Sequence, residues 1–297
     1  MINEKNIKTL GTHSGKFHAD DVMATAILRL LLGDIKVTRT RDEDVLSKLD
    51  FVYDISLGEF DHHQLHKELR ENNIPYAACG LVWREFGSRV IRKFNSQFEE
   101  NDIISIFDYV DKNLIQGIDA TDNGIDIKSD IKVTSITDII QNFNPTWDSK
   151  DSKDEAFEEA THYATEVIKK ILHRQAAIIK ARIIINEAFA NRTIPEIMVL
   201  QTGCPWLQQL LKIDVNNEVL FVISPGDNNE EYKVQTVKKM ADTFEARKDL
   251  LESIRGKSSE EINSILQIED AIFCHKAGFI ASTKSMESAL KIAKLSI

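Results

Sequence analysis

Apolar and polar positions along this chain fall into two patterns: short apolar runs of strand length, and longer stretches in which apolar residues recur at helical spacing. Ile7-Lys8-Thr9-Leu10-Gly11-Thr12 reads as a short strand. After Asp20 the series Val22, Ala26, Leu30, with Met23, Ile27 and Leu31 beside it, has the spacing of an amphipathic helix. Ile35 to Arg39 reads as a second strand, Asp42 to Leu49 as a short helix and Phe51 to Asp54 as a third strand. Such alternation predicts a parallel sheet with crossover helices, whose ligands gather beyond the strand C-termini. His13 and Asp54 fall at two such ends.

Small residues at Ala77-Ala78-Cys79-Gly80 lead into an apolar helix, and helical spacing continues through Val90, Ile91 and Phe94 and again from Ile103 to Ile118. From Asp154 to about Ala190 the periodicity marks one long amphipathic helix, or two in tandem, with no Pro or Gly inside it. Ile197 to Leu200, Val219 to Ile223, Tyr232 to Val237 and Ala271 to His275 read as strands, with helices at Pro205 to Lys212 and Met286 to Leu295. The organisation expected is α/β: a doubly wound parallel-sheet domain over 1–150, a connecting helix over 151–190 and a smaller α+β domain over 191–297.

Composition narrows the class. A chain of 297 residues, 42% hydrophobic and 28% charged, is long enough for about two domains. Its first residues lack the apolar core of a signal peptide, and no segment reaches the roughly 18 apolar residues of a membrane span. A cytoplasmic protein with no membrane partner is expected. Cys79, Cys204 and Cys274 are odd in number and far apart, which predicts buried free thiols rather than a disulfide framework or a CxxC zinc site. A formal net charge of -10 argues against tight binding to long duplex nucleic acid, and is compatible with a short or small phosphorylated substrate held by metal and a few local cations.

The chemistry concentrates in Gly11-Thr12-His13-Ser14-Gly15-Lys16-Phe17-His18-Ala19-Asp20-Asp21 and in Asp61-His62-His63, with Asp54 between them. The spacing His-x4-His-x-Asp of His13, His18 and Asp20 can place several ligands around one or two cations, and Asp54 can bridge both. Two metals about 3.5 to 4 Å apart are the usual device for hydrolysing phosphate esters. The mixed His and Asp set favours Mn, Co, Fe or Zn over Mg or Ca. Asp119 and Asp122 lie three apart before the stop signal Asn123-Gly124, against the unfavourable end of a helix dipole, and call for a compensating cation unless they are simply solvated. Lys16, Arg39 and Arg41 are cations placed either to meet a phosphate or to lie on the surface. His162 and His173 read as solvent-facing, His66 as a loop residue and Trp206 as a core or interface anchor.

The succession His13, Asp20, Asp54, Asp61-His62-His63 and a later Asp resembles the DHH phosphoesterase superfamily. The closer resemblance is to the melanocyte-proliferating-gene family, a metal-dependent hydrolase branch of it, and extends to Gly80-Leu81-Val82-Trp83, Cys204-Pro205-Trp206, Ser253-Ile254-Arg255-Gly256 and His275-Lys276-Ala277-Gly278-Phe279-Ile280. That resemblance implies that His13, His18 and Asp54 hold one divalent cation, and that Asp20, Asp54, His62 and either Asp119 or Asp122 hold the other. It implies that His63 faces the substrate phosphate and that His275 and Gly278 bind substrate, although His275 also reads as a satisfied histidine at a strand end. His18 stands where most of the superfamily has an Asp, so a pyrophosphatase activity is not carried over. The implied activity is a manganese-type phosphodiester hydrolase, a 3′-to-5′ exonuclease on RNA or short oligonucleotides. Attack comes from a hydroxide activated by two metals, with His63, Lys16 and His275 holding phosphate. The alternatives are a small-nucleotide or pyrophosphate-type phosphatase and a non-catalytic metal-binding regulatory protein. The apolar face of the long helix serves either a homodimer or packing against the chain's own two domains.

Overall fold

Apolar runs and helical spacings become strands and helices in two units, Met1–Gln175 and Ala176–Ile297. The structure, a computed structural model, describes residues 2–65, 67–125, 130–131, 133–226 and 230–297; His66 lies outside the described residues.

The first unit begins with β1 (Leu10–Thr12), α1 (Ala19–Leu32), β2 (Val37–Arg39), α2 (Glu43–Leu46) and β3 (Phe51–Val52). All three strands are parallel, in the order β2-β1-β3, with Leu10 opposite Val37 on one side and Phe51 on the other. With β2 and β3 on opposite sides of β1, the winding reverses at β1, and ligands of such sheets collect at the C-terminal edge beside that reversal. The loops that follow β1 and β3 both leave from this edge. β3 is shorter than its apolar run because the chain turns sharply at Asp54, where φ is 56°.

α3 (Ala78–Phe94) packs on α1, and Val22, Met23 and Ile27 of the one and Val82, Trp83 and Phe86 of the other are buried. Burial of such side chains contributes roughly 1.5–3 kcal/mol each. The helical spacing from Ile103 to Ile118 is realised as α4 (Glu100–Val110), a wide π turn at Asp111–Ile115, and α5 (Gln116–Asp122). α6 (Ile136–Gln141) follows, then α7 (Lys153–Ala190), a single helix of 38 residues. The boundary between the two units falls inside α7. Its first part belongs to the first unit, where Phe157 meets Phe17 edge-on at 5.7 Å and His173, although exposed, meets Phe94 at 4.8 Å.

The second unit holds β4 (Ile197–Val199), α8 (Leu207–Ile213), β5 (Phe221–Pro225), β6 (Tyr232–Thr236), α9 (Ser259–Leu266), β7 (Ala271–Cys274), β8 (Ile280–Thr283) and α10 (Met286–Ser296). Its sheet has the order β4-β5-β6-β8-β7; β4 and β5 are parallel and the other pairs antiparallel. β8 and α9 were not expected from the apolar pattern, since Ala281, Ser282 and Thr283 carry little of it. Trp206 is a core anchor, packed with Met198, Leu210 and Val222. Asp214 and Arg247 form a buried ion pair, and Asp214 also accepts the N–H groups of Glu218 and Val219 at 3.0 Å each. Gly278 has φ of 70° in the β7–β8 turn, and an added Cβ would meet the Arg255 side chain at 2.6 Å. All three cysteines are free thiols, Cys79 and Cys274 buried. No helix among the described residues is long and apolar enough to cross a membrane.

Candidate metal centre

The loop after β1 brings in His13, which is buried. Its Nδ1 donates to the Ser14 carbonyl at 3.3 Å, leaving Nε2 directed inward, 3.3 Å from Asp21 Oδ2 and 3.3 Å from Asp54 Oδ2. Asp54 is the first of three non-glycine residues with left-handed backbone in the loop after β3, followed by Ser56 at φ 73° and Leu57 at φ 53°. Such conformations cost about 1–3 kcal/mol each and persist where the surroundings enforce them. Here the loop is closed on itself: Asp54 N–H donates to Phe60 O at 3.0 Å, and Leu57 N–H to Asp61 Oδ2 at 2.7 Å. The result aims the two oxygens of Asp54 differently, Oδ2 at His13 and Oδ1 at His62 Nδ1, 3.4 Å away.

α1 supplies two more carboxylates from its first turn. Asp21 accepts the His18 N–H at 2.8 Å and so closes the helix N-terminus. Asp20 reaches the N-terminus of α3, where the N–H groups of Ala78 and Cys79 donate to it at 3.0 and 2.7 Å. Its Oδ2 stands 3.6 Å from His62 Nδ1, and His62 Nε2 lies 2.9 Å from Asp122 Oδ2. Asp119 and Asp122, one helical turn apart, take different partners. Asp119 is fully buried; it pairs with Arg70 at 2.6 Å and accepts from Gly80 N–H and Cys79 Sγ, both at 3.1 Å. Gly80 is required by this approach, because a Cβ there would stand 1.9 Å from the Asp119 carboxylate. The cation compensating Asp119 is therefore a guanidinium, and Asp122 is the carboxylate facing His62.

His63 lies at the rim with its side chain 60% exposed. Asp61 orients it, accepting from His63 Nδ1 at 2.7 Å and from the His63 N–H at 3.1 Å. His18 is also at the rim, 3.9 Å from Asp122. Lys16 is exposed. His275 and Gly278 belong to the second unit, in the turn where Gly278 N–H donates to His275 O at 2.8 Å. The structure thus brings together His13, Asp20, Asp54, His62 and Asp122. It adds Asp21, absent from the expected ligands although its place in the first helical turn beside Asp20 was a usable signal. It also adds Arg70, for which the sequence carried none.

Electrostatics show how closely the charges of the cluster are crowded. Burial, then the charges of Asp54, Asp122 and Asp119, push the Asp20 carboxyl well above its usual range. Burial, with the Asp54 charge, pushes Asp21 up to about 7, against the pull of His13. Burial alone would lower His13 and His62, but carboxylate partners raise both, led by Asp54 for the first and Asp122 for the second. His13 Nε2, Asp21 Oδ2, Asp54 Oδ1 and His62 Nδ1 are buried and make no well-formed hydrogen bond, meeting one another only as ion-pair contacts of 3.3 and 3.4 Å. Leaving such atoms unsatisfied costs about 1–3 kcal/mol each. All four are metal-ligand atoms, and they fall in three of the residue groups able to hold an ion: His13, Asp21 and Asp54; Asp20, His62 and Asp122; and Asp54, Asp61, His62 and His63. The residues present fit a divalent cation.

A consequence is proton release on metal binding. Near pH 6 the metal-free centre holds protons on Asp21 and its imidazoles that a cation must displace, so affinity rises with pH. Apparent Mn²⁺ affinity is expected to be about fivefold weaker at pH 6 than at pH 7 through the Asp21 proton alone, and weaker still through the imidazoles. Calorimetry in buffers of different ionisation enthalpy measures the released protons directly, and a pH-independent affinity with no release would contradict the assignment.

A family model described as MYG1_exonuc, Uncharacterised protein family (UPF0160), matches residues 9–297. The MYG1 protein YER156C of Saccharomyces cerevisiae is 30% identical over 332 residues, covering 100% of this chain and 97% of that protein. The MYG1 exonuclease of Bos taurus is 30% identical over 322 residues, covering 97% and 84% respectively. Among solved structures, a pGpG-specific phosphodiesterase, PggH from Vibrio cholerae, aligns with a TM-score of 0.31 and 12% identity over 97% of this chain and 96% of that chain, a likeness too slight to carry a conclusion.

Proposed function

We propose, for a chain that belongs to the MYG1_exonuc family (UPF0160), a metal-dependent phosphodiester hydrolase acting as a 3′-to-5′ exonuclease on RNA or short oligonucleotides. The chain is an enzyme of hydrolase type, with buried clusters able to bind metal. The observation that carries the reading is the set of four converging, buried ligand atoms that make no well-formed hydrogen bond.

Two divalent ions suit the donor set, Mn²⁺ first and Co²⁺, Fe²⁺ or Zn²⁺ next. Bound there, they supply the Lewis acidity that activates water and neutralises charge on a phosphoryl group. His13, His18, Asp21 and Asp54 form one ligand set; Asp20, Asp54, His62 and Asp122 form the other. Asp61 holds His63 by Nδ1, which leaves Nε2 to meet a phosphoryl oxygen at the open side. Asp119 and Arg70 position the N-terminus of α3 that grips Asp20. The first unit is assigned to the DHH-type doubly wound domains, on the strand order β2-β1-β3 and the succession of ligands. The second unit is assigned to substrate binding, with His275 and Gly278 as its substrate-side residues. Free thiols suit a cytoplasmic location.

The test is a short 5′-labelled RNA incubated with purified protein and Mn²⁺. A ladder shortening from the 3′ end is expected. His63→Ala is expected to keep its Mn²⁺ content and lose about 10²- to 10³-fold in rate, the usual effect of removing one group that stabilises transition-state charge. A metal-loaded protein that leaves RNA intact but releases phosphate from mononucleotides would replace the nuclease reading with a small-nucleotide phosphatase.

A further inference from the structure

We infer that Arg41 grips the phosphoryl group of the substrate, in the cavity it lines beside the metal centre; this rests on the phosphodiester reading above. The cavity lies against the metal centre, is about 200 Å³ in volume, and is lined by His13, His18, Arg41, Asp54, Ser56 and His63 among others. Pockets that enclose whole drug-sized ligands run to roughly 300–1,000 Å³. The space is smaller than that and has room for a phosphoryl group and its oxygens, with Arg41 in its lining.

The three nearby cations are not equivalent. Arg39 is committed elsewhere: its side chain is 3% exposed, donates to Asp154 Oδ1 at 2.7 Å and to Gly15 O at 2.9 Å, and stacks over Phe157 at 4.5 Å. Lys16 is exposed and is not among the residues lining the cavity. Arg41 lines it, is exposed, and has no hydrogen bond or ion pair among the described residues. Its backbone is nevertheless anchored, between Thr40, whose N–H donates to Thr12 O at 2.9 Å, and Asp42, which caps α2. A guanidinium held at its base and free at its tip can take two non-bridging phosphate oxygens at once. It also offsets the repulsion that the surrounding carboxylates would exert on an anion.

The probe is inorganic phosphate, titrated calorimetrically into Mn²⁺-loaded protein. Wild type is expected to bind it, Arg41→Ala at least tenfold more weakly, and Arg41→Lys in between, since a point charge replaces a fork. Arg92→Ala makes the same charge change at an exposed pair with Glu100 and leaves the affinity unchanged. Mn²⁺ content and melting temperature stay constant throughout. On a cleavable oligonucleotide, Arg41→Ala raises KM more than it lowers kcat. Phosphate binding absent in wild type, equal in wild type and Arg41→Ala, or lost only together with Mn²⁺ would overturn the inference. Arg41-dependent phosphate binding by a protein that cleaves no oligonucleotide would keep it and remove the nuclease reading.

Discussion

Asp54→Asn is expected to lower kcat/KM at least about a thousandfold, a loss of ~4 kcal/mol of transition-state stabilisation, while the metal-free protein becomes more stable. The first effect follows from the two oxygens of Asp54, one facing His13 and the other His62. An amide offers one oxygen where the carboxylate offers two, so it cannot serve both ligand sets. Asn is the informative replacement because it tolerates the left-handed backbone at φ 56°, where Ala would add strain of roughly 1–2 kcal/mol. The second effect follows from crowding: the Asp54 charge helps to raise both Asp20 and Asp21. Removing one of three buried carboxylates relieves that repulsion, and the relief is visible only without metal. Metal content, rate and melting temperature with and without chelator test both halves. A variant that hydrolyses substrate at near wild-type rate would remove Asp54 from the centre, and with it the bridging argument.

This opposition between stability and function explains which parts of the site could be read from the sequence. His13 and Asp54 were legible because each follows an apolar run of strand length, and a parallel sheet gathers the ends of its strands. His62 was legible as half of a His-His pair, and Asp20 through its spacing from His13. Asp21 was passed over because the spacing argument ended one residue earlier, whereas the first turn of a helix presents adjacent carboxylates to the same end. Asp119 and Asp122 could not be separated by spacing, since i and i+3 share a helical face. Arg70 separates them, from a loop 49 positions before Asp119, and nothing local marks an arginine as a buried partner. Among the elements, the short strands ran shorter than their apolar runs, and α9 and β8 emerged where the pattern was weak. Tertiary pairing, not periodicity, decides those.

Arg70→Met is expected to lower the melting temperature by about 6–20 °C at pH 8, and by less at pH 5. Arg70 is 7% exposed, pairs with Asp119 at 2.6 Å and with Asp111 at 2.8 Å, and lies over the Tyr76 ring at 4.0 Å. Methionine replaces the packed stem but not the charge, and strands a fully buried carboxylate. Breaking a buried pair this way costs about 3–5 kcal/mol, and for a unit of this size each kcal/mol is worth about 2–4 °C. The pH dependence comes from Asp119, which burial pushes up to about 6 even against the opposing pull of Arg70. The folded protein keeps this proton where the unfolded chain has lost it, so ionising Asp119 withdraws stability as pH rises from about 4 through 6. At pH 5 Asp119 is largely protonated in wild type, and the arginine has less to neutralise. At pH 8 the variant must either hold the charge unpaired or keep the proton at a cost. Scanning calorimetry at the two pH values measures the difference, and an equal deficit at both would mean that Asp111 and the Tyr76 ring, rather than Asp119, make Arg70 necessary. Because Gly80 N–H binds Asp119 while the neighbouring Cys79 N–H binds Asp20, the same substitution should weaken Mn²⁺ binding several-fold. The structural arginine is thereby tied to the metal centre without touching it.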